Sequence, residues 1–290
     1  MKSSHRSLLR AVALLGCASL AACTASIDQA SFFPQSMEAP HSVLKPPPGY
    51  ALTHMLLDLP GLGKLHAARL DHAANNATII YSGGNGSFVA GGTDIAAALA
   101  EATGADLIFY DYPGRGGTTV PPTIDASIAT GPAMLQALRR AGWIGGGPLF
   151  AYGLSFGGSQ AAAMTREGGF DGLIIEASAA DLASVGRNFV PGIARPFVKV
   201  EVDPELRRFD YLGYATAHRT PILLIASRDD DIVRERNMAD FADQLRMRGS
   251  DVTLITVPGE HGTGLGQPVA LTALRSFVEK RSRMPAAASN

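Results

Sequence analysis

The most constraining stretch of the 290-residue chain runs Pro148-Leu149-Phe150-Ala151-Tyr152-Gly153-Leu154-Ser155-Phe156-Gly157-Gly158 and continues into Ser159-Gln160-Ala161-Ala162-Ala163-Met164. An apolar run of strand character ends at Gly153, a serine stands at the bend, and an alanine-rich helix former leaves at once through two glycines. A turn of this kind holds its central residue in a strained backbone conformation and pushes the serine Oγ out above a sheet. Strand and helix meet there too tightly for side chains, so the neighbouring positions must be small, and the glycines supply that room. With 32 glycines in the chain, Gly-x-Ser-x-Gly alone is a weak sign; the strand before it and the helix after it make it a nucleophile elbow.

The chain carries 25 Lys+Arg against 26 Asp+Glu, a net charge of -1, and no basic cluster outside its extreme N-terminus, which excludes a nucleic-acid footprint. Hydrophobic content of 46% with 18% charged residues is that of a globular protein with a sizeable core. Strand and helix signals alternate from about residue 53 onward with no linker-like break, so one domain over residues 51–284, followed by a flexible tail over 285–290, is expected.

The first 22 residues read as a leader. Lys2, Arg6 and Arg10 precede an apolar run over residues 11–20, too short for a membrane-spanning helix of about 20 residues but right for a signal-peptide core. It ends in Leu20-Ala21-Ala22-Cys23, which resembles the lipobox of bacterial lipoproteins and implies cleavage before Cys23 and lipidation of that cysteine. An ordinary secretory leader is the alternative. The only other cysteine, Cys17, would leave with the leader, so the mature fold is expected to hold no disulfide. The expected location is the bacterial cell envelope, with membrane attachment through Cys23; Thr24 in the next position resembles lipoproteins passed on to the outer membrane of a Gram-negative cell. Residues 23–50 are rich in Ser, Ala, Gln and Pro, show no helical or strand period, and read as a tether.

Two strands over residues 53–59 and 65–71, joined by a Pro60-Gly61-Leu62-Gly63 turn, are expected to form an antiparallel edge. Beyond residue 78, short apolar strands alternate with helices, and strands this uniformly apolar are covered on both faces. The expected architecture is α/β, with a mostly parallel central sheet and helices on both faces.

The order of landmarks then resembles the α/β-hydrolase superfamily. Gly83-Gly84-Asn85-Gly86 follows the first core strand, Asp111-Tyr112-Pro113-Gly114-Arg115-Gly116 the second, the Ser155 elbow the third; three adjacent carboxylates in Ser227-Arg228-Asp229-Asp230-Asp231-Ile232-Val233 and the turn Gly259-Glu260-His261-Gly262 follow later strands. This order implies a Ser-Asp-His triad. The resemblance implies Ser155 as the nucleophile and His261 as the base. The family pattern Gly-x-x-Asp-x-x-Val selects Asp230 as the acid, with Asp229 the runner-up and Asp181, after the preceding strand, a less favoured position. A carbonyl oxygen under attack needs preorganised donors. The resemblance implies the Phe156 N–H, and a second from the glycine loop, where Asn85 takes the donor position and Gly84 is the alternative.

Between residues 180 and 219 the strand-helix rhythm pauses. Phe189, Phe197, Phe209, Tyr211 and Tyr214 are interleaved there with Arg187, Arg195, Lys199, Arg207 and Arg208. The segment reads either as a cap whose aromatics line an acyl or aryl pocket, or as a small packed subdomain with solvated arginines. No metal-ligand spacing, phosphate loop or dinucleotide fingerprint is present, so no cofactor is expected. The implied function is a serine hydrolase cleaving an ester, thioester or amide of a small-molecule or peptide substrate through an acyl-enzyme. A peptidase or acyltransferase on the same residues is an alternative, and a non-catalytic surface binding module is another.

Overall fold

The computed structural model describes residues 23–32, 40–73 and 77–282. The expected leader (1–22) and tail (285–290) lie outside the described residues.

The chain begins with β1 (Cys23–Ile27) and continues through β2 (Tyr50–Leu59), β3 (Gly63–His72), β4 (Thr78–Ser82), α1 (Thr93–Thr103), β5 (Asp106–Tyr110) and α2 (Ile124–Arg140). The elbow region supplies β6 (Leu149–Leu154) and α3 (Phe156–Thr165), followed by β7 (Gly172–Glu176). An insertion holds α4 (Leu182–Gly186), β8 (Val198–Val202) and α5 (Tyr211–Thr216), and the domain closes with β9 (Ile222–Ser227), α6 (Glu235–Met247), β10 (Val252–Val257) and α7 (Pro268–Ser282).

Eight strands form one sheet in the order β10-β9-β7-β6-β4-β5-β3-β2. Only β3 runs against the others, since it pairs antiparallel with both β2 and β5 while every other pairing in this sheet is parallel. The two-residue period of the strands divides the core into two layers. In β6, Leu149 and Ala151 pack with α2, α3 and α6 residues such as Met134, Ala161 and Phe241, while Phe150 and Tyr152 face Leu99 of α1 and Leu274 and Phe277 of α7. This is the α/β-hydrolase fold with both faces covered.

The chain runs from β4 to β5 on one side and then crosses to β6 on the other side of β4. Loops leaving the C-terminal ends of β4 and β6 therefore bound a crevice, where open α/β sheets bind ligands. Register brings the two loops together, because Ser82 at the end of β4 pairs with Gly153 next to the elbow.

The segment expected as a tether is instead docked. Cys23–Ile27 pairs in parallel with Val198–Val202 of the insertion, and Leu44, 2% exposed, packs into the core with Ala68, Leu70 and Leu107. Backbone hydrogen bonding along β1 and burial of one leucine outweigh a composition that by itself favours extended chain. The insertion between residues 180 and 219 holds two short helices and a strand.

Candidate active site

Ser155 sits between β6 and α3 with φ 53° and ψ −120°, one of three non-glycine residues of positive φ among the described residues. Such a conformation costs on the order of 1–3 kcal/mol and persists because its surroundings over-determine it. The Ser155 N–H donates to Glu176 O at 2.8 Å and its carbonyl accepts from Gly158 N–H at 2.9 Å. A Cβ on Gly157 would run into the Ser82 and Gly83 carbonyls, which is why the helix can leave so sharply only through glycine.

His261 is carried by the loop after β10. Its Nε2 lies 2.9 Å from Ser155 Oγ and its Nδ1 lies 2.8 Å from Asp230 Oδ2. The Asp230 side chain is fully buried, and its other oxygen accepts from the Ile232 and Val233 N–H groups at 2.9 and 2.8 Å. A buried carboxylate needs such partners. Nδ1 facing a carboxylate carries the hydrogen, which leaves Nε2 able to accept from the serine hydroxyl. The three side chains assigned from sequence are thus brought together, and the two alternative acids are used elsewhere. Asp229 accepts from Gly259 N–H at 3.2 Å, and Asp181 caps α4 by accepting from Ser184 N–H at 2.9 Å.

Gly84 and Asn85 border Ser155 on the side of β4, within the same cavity. The Asn85 side chain is engaged on both atoms: Nδ2 donates to Ser31 O at 2.7 Å and Oδ1 accepts from Arg115 Nη2 at 2.7 Å. Phe156, the next residue after the serine, packs its ring against Phe32 and Tyr112. Arg115 is 1% exposed, lies over the Tyr112 and Phe156 rings, and also donates to Phe32 O at 3.1 Å. Burial lowers its pKa from the usual arginine value.

Sequence reasoning missed Glu176. It ends β7, 1% exposed, directly beneath the serine and the histidine loop. Its Oε1 accepts from Gly264 N–H at 2.7 Å and its Oε2 from the Tyr152 hydroxyl at 2.5 Å. Burial pushes its pKa above the ordinary carboxylate range, against the opposing pull of these hydrogen bonds and of His261. The signal was present as a lone carboxylate at the end of the apolar run Gly172-Leu173-Ile174-Ile175.

A cavity of about 1070 Å³ opens over Ser155 and His261, at the upper end of the roughly 300–1,000 Å³ usual for small-molecule sites. The insertion contributes Phe189, Leu206, Phe209 and Tyr211. Two other aromatics of the insertion lie away from it: Phe197 is exposed, and Tyr214 packs edge-on to Phe209 beneath Arg166. Of the basic residues there, Arg208 pairs with Asp125 and Glu205, and Lys199 with Glu201.

A second histidine–carboxylate contact lies away from the serine. His66 Nδ1 is 2.6 Å from Asp111 Oδ2, and His54 stacks on His66. Asp111 also accepts from Val89 N–H at 2.8 Å, so it ties together the turns after β4 and β5. No cluster of three metal-ligating side chains occurs among the described residues.

With this geometry in view, comparison with known proteins places the chain among related structures. Residues 132–279, just over half of the chain, match the prolyl oligopeptidase family. No curated protein sequence matches the chain. Solved structures similar to it include a Pyrococcus furiosus esterase, with a TM-score of 0.63 and 16% identity over 83% of this chain and 99% of that one. A carboxyl esterase from the mycorrhizal fungus Tuber melanosporum gives a TM-score of 0.62 and 16% identity over 97% and 100% of the two chains. An acylaminoacyl peptidase from Pyrococcus horikoshii gives a TM-score of 0.60 and 16% identity over 83% of this chain and 43% of that one. At this level of identity the likeness is one of fold, whereas the sequence match over residues 132–279 spans the elbow, the buried acid and the histidine loop. The chain belongs to the prolyl oligopeptidase family.

Proposed function

We propose that the protein is a serine hydrolase that cleaves an ester through an acyl-enzyme intermediate. The observation that carries this reading is the pair of contacts made by His261, 2.9 Å from Ser155 Oγ and 2.8 Å from buried Asp230. A serine hydroxyl is a weak nucleophile until an adjacent base takes its proton. In the proposed reaction His261 Nε2 accepts that proton as Oγ attacks the carbonyl carbon, and Asp230 holds the ring and stabilises the imidazolium that forms. The Phe156 N–H, at the first position of α3, and the N–H of Asn85, with Gly84 as the alternative, stabilise the oxyanion; losing one such donor raises the barrier by roughly 2.7–4 kcal/mol. His261 then protonates the leaving group. Water repeats the sequence on the acyl-enzyme and frees Ser155.

The ester reading is supported by the apolar lining that Ile27, Leu154, Phe156, Leu206 and Phe209 give the cavity and by the esterases among the structures of the same fold. A peptidase using the same three residues is the second reading, supported by the family to which residues 132–279 belong. We also propose export to the cell envelope with a lipid on Cys23, supported by Leu20-Ala21-Ala22-Cys23; among the described residues no helix is long and apolar enough to cross a membrane. A fluorophosphonate probe tests the central claim. The wild type should be labelled on Ser155 and Ser155→Ala should not, whereas an unlabelled wild type rules out an activated serine. Turnover of p-nitrophenyl esters beside aminoacyl nitroanilides then separates the two readings.

A further inference from the structure

The cavity over Ser155 has a wall that does not come from the hydrolase domain's own loops. Ser26, Ile27, Ser31 and Phe32 line it, and all four belong to the segment that begins with β1. That segment is fastened at several independent points. Its strand pairs with β8 of the insertion over five residues. Ile27 O accepts from Asp203 N–H at 2.9 Å, and Gln29 Nε2 donates to Asp203 Oδ2 at 3.2 Å. Ile27 packs so closely on α4 that a Cβ at Gly186 would stand 2.6 Å from its Cδ1. At the other end, Asn85 Nδ2 and Arg115 Nη2 hold the Ser31 and Phe32 carbonyls, and the Phe32 ring stacks on Phe156 with centroids 5.6 Å apart.

This placement bears on the substrate. His261 must hand a proton to the departing group, so the leaving group lies on the histidine side of Ser155. The acyl portion lies on the opposite side, toward Phe156 and the phenylalanine stacked on it. Ile27, Phe32, Leu206 and Phe209 line the same cavity and offer apolar surface; its charged members are the exposed Arg207, Asp210, which accepts from Gly213 N–H, and Asp181, which accepts from Ser184 N–H. An extended hydrocarbon chain gains by leaving water against this surface.

Resting on the serine-hydrolase reading, we propose that the segment from Ser26 to Phe32 forms the acyl wall of the substrate site and gives the enzyme a preference for esters of extended apolar acyl groups. Phe32 and Ile27 are its specificity-determining side chains.

The test uses the full chain and p-nitrophenyl acetate, butyrate, octanoate and dodecanoate. For the wild type, kcat/KM should rise from acetate to octanoate. In Phe32→Ala the ratio of octanoate to acetate should fall about tenfold or more, because part of the apolar contact to the chain is removed. Ser26→Trp, which fills the cavity from the same wall, should move the optimum toward shorter acyl groups. Thermal melting and fluorophosphonate labelling of Ser155 accompany each variant. A labelled, folded Phe32→Ala and Ser26→Trp that keep the wild-type chain-length profile overturn the acyl wall and leave the hydrolase reading standing. A wild type that takes no label overturns both.

Discussion

Asp230 divides its two oxygens between two tasks: Oδ2 faces His261 Nδ1 at 2.8 Å, while Oδ1 is held by the Ile232 and Val233 N–H groups. The backbone thereby aims the carboxylate, and the carboxylate aims the ring. Asp230→Asn should lower kcat by a factor on the order of 10³–10⁴ through loss of the correct imidazole tautomer. Asp229→Asn and Asp181→Asn should each change it by less than about threefold, since those side chains meet Gly259 and Ser184 instead. Steady-state kinetics on one ester for the three variants checks this, and a damaging Asp229→Asn would reassign the acid.

Ser155 and His261 are expected to act as one unit. Removing either should cost roughly 10⁴-fold or more in kcat, and the double variant should resemble the singles, because a second loss in the same step has little left to remove. If the two losses multiply in folded protein, the residues are not partners.

Glu176 gives a prediction in pH. Burial raises its pKa in the folded chain above the value it has when unfolded. A carboxyl raised in this way contributes stability that is full below the ordinary carboxylate range, near about pH 4, and is lost as pH rises through the raised value. Glu176→Gln cannot ionise. The Tm of the wild type minus that of Glu176→Gln should therefore shrink as pH is raised from about 4 toward neutrality. A difference that grows with pH would mean that Tyr152, Gly264 and His261 hold the group ionised and that burial is the lesser effect.

Arg115 joins the glycine loop to the N-terminal wall by its bonds to Asn85 and Phe32. Arg115→Met keeps an unbranched apolar stem over Tyr112 and Phe156 but removes both bonds. It should reduce kcat/KM for every ester by about tenfold or more, as expected if the loop proposed to carry an oxyanion donor loses its anchor. Unchanged kcat/KM in a folded variant would show that Asn85 is held without it.

Cys23→Ser should release the protein from the membrane fraction or leave its leader uncut. Unchanged fractionation and processing would refute lipidation at that residue.

The parts of this molecule that could be read from its sequence are those whose causes are local. The elbow announces itself because strand, bend and helix lie within seventeen consecutive residues, from Pro148 to Met164. Asp230 was singled out by resemblance to the family pattern Gly-x-x-Asp-x-x-Val, and its register with Val233 coincides with a hydrogen bond between residues three apart. What stayed hidden depends on partners far along the chain. Glu176 meets Gly264 at a separation of 88 residues, and Arg115 reaches back 83 residues to Phe32. The docking of β1 escaped notice for the same reason: Cys-Thr-Ala-Ser-Ile has no period of its own, and only the edge offered by β8 makes it a strand.

That docking also sets a gradient of local stability. Strand β1 has one neighbour, in a two-stranded sheet, whereas β6 lies between two strands of the eight-stranded one. A strand with fewer partners opens locally at lower cost. The amides of β1 should exchange with solvent ahead of those of β6. A molecule open only there keeps Ser155 beside His261 while the wall made by Ser26, Ile27, Ser31 and Phe32 stands away from the cavity.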